Sequence, residues 1–126
     1  GAAYPQKELP LTFIINTDET VRTNEHGCIP MRGMGLGFTI ARREVIEKLS
    51  AQAYKVKLDD GSELSMAFRV ETNNGTFRGE DICFFEDCCK LGAGVWCDPR
   101  IYLGHIGDAE YAGSLAEVMT QKAVSK

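Results

Sequence analysis

The chain has 126 residues, 44% of them hydrophobic and 25% charged, with a net charge of −4. A chain of this length makes one domain with a real core, burying roughly two-thirds of its unfolded surface, and the composition excludes a disordered polymer. The mild negative charge leaves no general electrostatic drive toward nucleic acid or anionic membrane.

The chain opens on "GAAYPQKELP", which lacks the basic-then-apolar layout of a secretory signal, and no apolar run approaches the roughly 18 residues of a membrane span. A soluble, cytoplasmic setting is therefore expected. Gly1 stands where a start methionine would, so the chain reads as a piece of something longer. Residues 11–16, "LTFIIN", form a β-branched and aromatic run expected as a strand, and "TDETVRTNEHG" after it reads as an exposed loop or hairpin. "RGMGLGF" contains G-x-G but precedes a strand instead of following one, which speaks against a dinucleotide or phosphate loop. A tight turn whose backbone approaches a substrate is the better reading.

"GFTIA" (37–41) is expected as a second strand feeding a helix over "RREVIEKLSAQ", where Val45, Ile46 and Leu49 recur at helical spacing. Arg42 and Arg43 fit equally a phosphate contact and the solvated face of that helix. "YKVKL", the turn "DDGS" and "LSMAFRV" predict a hairpin, with "ETNNG" as a flexible loop. Residues 80–91 follow as a helix, "GVWCDP" as a strand stopped by Pro99, and "RIYLGHIG" as a strand or extended segment. "DAEYAG" (108–113) reads as a turn, because Gly113 is costly inside a helix. Ser114 and Glu117 then make the S-x-x-E pattern that starts a last helix. The order predicts a mixed α/β fold with a small sheet flanked by helices, residues 1–126 forming one domain.

The chemistry concentrates at "FRGEDICFF". On a wheel of about 100° per residue, Asp81 falls in the middle of the apolar face formed by Ile82, Phe84, Phe85, Cys88, Cys89 and Leu91. Glu80, Glu86, Asp87 and Lys90 fall on the opposite, wet side. Asp81 thus points toward the interior or a cleft and Glu80 toward the flank. An acid at this place can simply cap the helix, or serve as a general base held at the rim of a pocket; both can hold at once. His105, in "LGHIG", sits between glycines that let its backbone approach a ligand closely, though a lone histidine at a strand end is more often structural than a metal ligand. His26, in the polar loop, reads as solvated. The five cysteines are odd in number and lack any C-x-x-C pair, so they read as reduced thiols and not as a zinc site.

Taken in order, "GMGLGFTIARREVIEKL", "FRGEDICFFEDCCKLGAGVWCDP" and "IYLGHIG" resemble the C-terminal half of GT-A-type, family-2-like glycosyltransferases over residues 30–112. The resemblance implies the acceptor-side half of a nucleotide-diphospho-sugar transferase fold. Asp81 would then be the catalytic base on an acceptor hydroxyl, and Glu80 would shape the acceptor site. Gly33, Gly35 and Gly37 would wall the donor sugar. His105 would complete a divalent-ion site, Mn or Mg, beside the sugar diphosphate. The partners so implied are a nucleotide sugar and an acceptor glycan or other hydroxyl acceptor, with no nucleic acid. The family's nucleotide-binding half and its Asp-x-Asp motif have no counterpart here; "LDDG" (58–61) belongs to a hairpin turn. A partial domain of this kind is expected to be inactive alone and to self-associate as a homo-oligomer through the vacated sheet edge. The alternative is a non-catalytic carbohydrate-binding or assembly module.

Overall fold

The computed structural model describes residues 1–17 and 22–124, so part of the expected polar loop lies outside the described residues. The strands are β1 (Ile15–Asn16), β2 (Ile29–Pro30), β3 (Gly33–Met34), β4 (Lys55–Lys57), β5 (Glu63–Ser65), β6 (Glu71–Asn73), β7 (Thr76–Arg78), β8 (Trp96–Cys97), β9 (Leu103–Ile106) and β10 (Glu110–Gly113). The helices are α1 (Arg43–Gln52), α2 (Glu80–Lys90) and α3 (Leu115–Val124). The fold is mixed α/β. Among the described residues the strands form five separate antiparallel pairs, β1 with β3, β2 with β8, β4 with β5, β6 with β7 and β9 with β10.

The N-terminal segment adds to this. Gly1 N–H donates to Trp96 O (3.0 Å) and Asp98 N–H donates to Gly1 O (2.9 Å), the hydrogen-bond pattern of a parallel pair beside β8. Ala2, Ala3 and Pro5 are buried, so the opening residues belong to the core.

α2 is the hub of that core. Phe84, Phe85 and Cys88 pack with Met34, Leu49, Val95, Cys97 and Leu115, and Phe68 stacks on Phe84 with ring centroids 4.8 Å apart. The opposite side of α2 is not the wet side expected from the wheel. Cys83 there is fully buried, its thiol against Arg78 O, while Cys89 is exposed. The cause is the β6–β7 hairpin and the segment leading into it, whose arginines reach across that side: Arg78 of β7 pairs with Glu86 and with Glu71 (3.0 Å), and Arg69, just before β6, pairs with Asp87 and with Glu71 (3.2 Å). Burial of Asp87 would push its carboxyl up, but Lys90 and Arg69 more than offset this and hold it below the ordinary carboxylate value.

Three sequence expectations are corrected. "GFTIA" is not a ladder strand: Leu36–Phe38 form a 3-10 turn, and Thr39 onward is extended backbone leading to α1, with Ile40 86% exposed. β-branched residues favour extended backbone, but nothing in their pattern supplies a partner strand. "ETNNG" is not a flexible loop but the end of a hairpin, since Asn74 (φ 49°) and Gly75 (φ 79°) both take the positive φ that a type I′ turn requires. "DAEYAG" is not a turn; Glu110–Gly113 form β10, which pairs with β9 so that Tyr111 stands opposite His105. The α3 start is as expected: Ser114 N–H donates to Glu117 Oε2 (2.9 Å) and Glu117 N–H to Ser114 Oγ (3.4 Å). All five cysteines are free thiols, and burial pushes that of Cys88 up to about 11.

Candidate functional site

Asp81 occupies the first turn of α2, which starts at Gly79 with no side-chain cap on its leading N–H groups. The chain supplies the missing acceptor one step later. Asp81 Oδ1 accepts from Ile82 N–H at 2.8 Å, so the half-buried carboxylate is held by the helix start itself. Glu80 is exposed. The two acids thus differ in exposure, Asp81 half-buried and Glu80 exposed.

The glycine segment runs from this helix start toward the histidine. Gly33 packs on the first turn of α2: a Cβ there would lie 2.9 Å from Ile82 Cδ1 and 3.8 Å from its Cα. Gly35, two residues along extended backbone and so about 7 Å further on, lies under a different group. Its Cβ would meet the Tyr4 ring at 2.5 Å, and that of Gly37 would meet it at 2.7 Å. Only hydrogen at these two positions lets the ring lie on the backbone. Tyr4 in turn meets His105 edge to face, with centroids 5.2 Å apart and planes at 87°.

His105 is fixed on its other side. Its Nδ1 lies 3.0 Å from Pro5 O. A carbonyl oxygen can only accept, so Nδ1 carries the hydrogen and Nε2 is left as the second functional atom of the ring. A backbone carbonyl can orient an imidazole in this way whether or not the other nitrogen binds anything. Among the described residues no three His, Cys, Asp or Glu side chains are grouped to hold a metal. The described residues therefore do not by themselves make a metal site around His105.

A cavity of about 340 Å³ opens beside His105, lined by Tyr4, Gly37, Phe38, Leu103 and Gly104. Of the three glycines Gly37 lines it, whereas Gly33 and Gly35 are buried against Ile82 and Tyr4. Asp81 is not part of its lining. A larger cavity, about 540 Å³, lies between α1 and α2 and involves none of Glu80, Asp81, the three glycines or His105. The structure therefore sets Gly33 against Ile82, the residue after Asp81, and joins Gly35, Gly37 and His105 through Tyr4.

Sequence reasoning missed Tyr4 and Pro5. The available signal was the dipeptide "YP" itself, which holds the residue before proline in extended backbone, but nothing local indicated what that segment would pack against. His26 is exposed and beside Glu25 (3.5 Å), as its polar surroundings indicated. Comparisons with protein-family models, with curated proteins and with solved structures found no match.

Proposed function

We propose that the chain is the acceptor-side part of a GT-A-type glycosyltransferase, which transfers a sugar from a nucleotide-diphosphate sugar to an acceptor hydroxyl. The observation that carries this reading is the course of residues 33 to 37. One short segment packs on Ile82, next to the acids at the start of α2, at Gly33, and under Tyr4, the neighbour of His105, at Gly35 and Gly37. Within it Gly37 alone is open to a ligand, on the wall of the His105 cavity, while Gly33 and Gly35 are covered.

In this reading Asp81 takes the proton of the acceptor hydroxyl, the acceptor oxygen bonds to the anomeric carbon, and the nucleoside diphosphate leaves with the electron pair. Glu80 contributes to the acceptor side and Gly37 to the donor side, Gly33 and Gly35 being covered by Ile82 and Tyr4. His105 would be one ligand of Mn²⁺ or Mg²⁺, an ion whose charge neutralises the diphosphate leaving group. The same reading includes self-association through surface that a nucleotide-binding half would cover. Ile106 and Phe77, 78% and 69% exposed, support it.

One observation favours a second reading, a non-catalytic carbohydrate-binding or assembly module. The His105 cavity has aromatic walls in Tyr4 and Phe38, surfaces on which a sugar ring can stack, and Asp81 is not in its lining. Calorimetric titration separates the two. Heat with a UDP- or GDP-sugar that requires Mn²⁺ and weakens in His105→Ala is the expected result. No heat with any nucleotide sugar, together with heat from free oligosaccharides, would turn the assignment to the module.

A further inference from the structure

We infer that Tyr4 is a positioning residue for His105: its ring, seated on the bare backbone of Gly35 and Gly37, holds the Pro5 carbonyl and the imidazole in one arrangement, leaving Nε2 to act on a ligand. The inference rests on the proposed reading of His105 as a ligand-binding group, but only for its use; the arrangement itself has its own test.

Four contacts carry it. Tyr4 covers Gly35 and Gly37 so closely that a Cβ at either would collide with the ring, at 2.5 and 2.7 Å. The ring meets His105 at near-right angles, 5.2 Å between centroids. The backbone runs directly from Tyr4 into Pro5, whose carbonyl holds His105 Nδ1 at 3.0 Å. Pro5 is itself buried and bridged to Phe13. A ring anchored on glycine backbone thus fixes the residue that selects the imidazole tautomer. His105 cannot rotate about its own side chain without breaking the Nδ1 bond or driving its edge into Tyr4. Gly37 touches the Tyr4 ring and lines the same cavity as His105, so a change at Gly37 that displaces the ring must be felt at the imidazole.

The tautomer can be read directly. Long-range ¹H–¹⁵N correlation of the imidazole nitrogens, recorded above the ordinary histidine pKa, distinguishes Nδ1–H from Nε2–H, and exposed His26 serves as an internal reference. Wild-type His105 is expected in the Nδ1–H form, and His105 found as Nε2–H overturns the inference whatever the variants do. Tyr4→Phe, which keeps the ring, is expected to preserve the pattern; a changed tautomer there would place the effect on the hydroxyl and overturn the role given to the ring. Tyr4→Ala is expected to lose the pattern while His26 stays unchanged, and a folded Tyr4→Ala with His105 unaltered overturns it. Should Tyr4→Ala fail to fold, Gly37→Ala decides: its methyl meets the ring, so His105 resonances shift under the inference and stay in place without it. A failure here leaves the donor titration unaffected, since that is read by heat and not by tautomer; a failed titration equally leaves the tautomer result standing.

Discussion

Asp81 has a structural role of its own, apart from the catalytic one proposed for it. Its Oδ1 satisfies the Ile82 N–H at an α2 start that has no other side-chain cap, and a negative charge there also complements the helix dipole. Asp81→Ala is expected to lower stability by about 0.5–1 kcal/mol, read as a lower urea midpoint at unchanged slope; an unshifted midpoint would show that the bond contributes nothing. Asp98 gives a pH signature. Hydrogen bonds from the Arg100 side chain and backbone hold its carboxyl at about 2, below the ordinary 3.8. A depressed carboxyl stabilises the fold above its unfolded value and loses that contribution as pH falls through the folded value. Asp98 should therefore add to acid destabilisation as pH drops from near 4 toward 2. In Asp98→Asn this part of the acid limb should flatten, measured as melting temperature against pH. Because Arg100 is exposed, the effect should be small and should weaken with salt.

Among the elements, the β6–β7 hairpin changes the picture of α2 most. With Arg69 just before it, the hairpin places two arginines over Glu86 and Asp87 and closes the side of the helix that holds Cys83. Its turn needs positive φ at Gly75 (79°), so Gly75→Ala is expected to cost roughly 1–2 kcal/mol; since a Cβ there meets no other atom within 4 Å, the cost would come from the backbone alone. An unchanged denaturation midpoint would contradict this. The "NG" dipeptide carries the hairpin signal, while the short polar run "ETN" before it carries no strand pattern of its own. Helices were legible because their evidence is periodic and local: Val45 and Leu49 in α1, the phenylalanines in α2, and the Ser114–Glu117 box at α3. What could not be read was pairing across distance. The extended run after Phe38 has no ladder partner, β10 emerges only opposite β9, and Cys83 is buried by a hairpin whose position no helical wheel contains. Tyr4 belongs here too, since its contacts with Gly35, Gly37 and His105 join segments more than 30 and about 100 residues apart.

At the scale of the whole molecule, the small antiparallel pairs and the apolar residues left outside the core bear on assembly. Ile40, Leu9, Ile106 and Tyr54 are among the most exposed large side chains, and short strands with open edges invite pairing with another copy. Light scattering at micromolar concentration should therefore give a mass above the 13.9 kDa of one chain; a monomeric mass would remove self-association from the account. No helix among the described residues is long and apolar enough to cross a membrane. The central claim is that α2's acidic start, the glycine segment and His105 form one nucleotide-sugar site. Its most direct test is paramagnetic broadening of backbone amide signals by sub-stoichiometric Mn²⁺ with a nucleotide sugar present. The account predicts broadening that centres on His105, extends through Tyr4, Gly35 and Gly37 to Asp81 and Ile82, and disappears in His105→Ala. Broadening confined to other acidic surface, such as Asp59 and Asp60, or surviving the loss of His105, would contradict it.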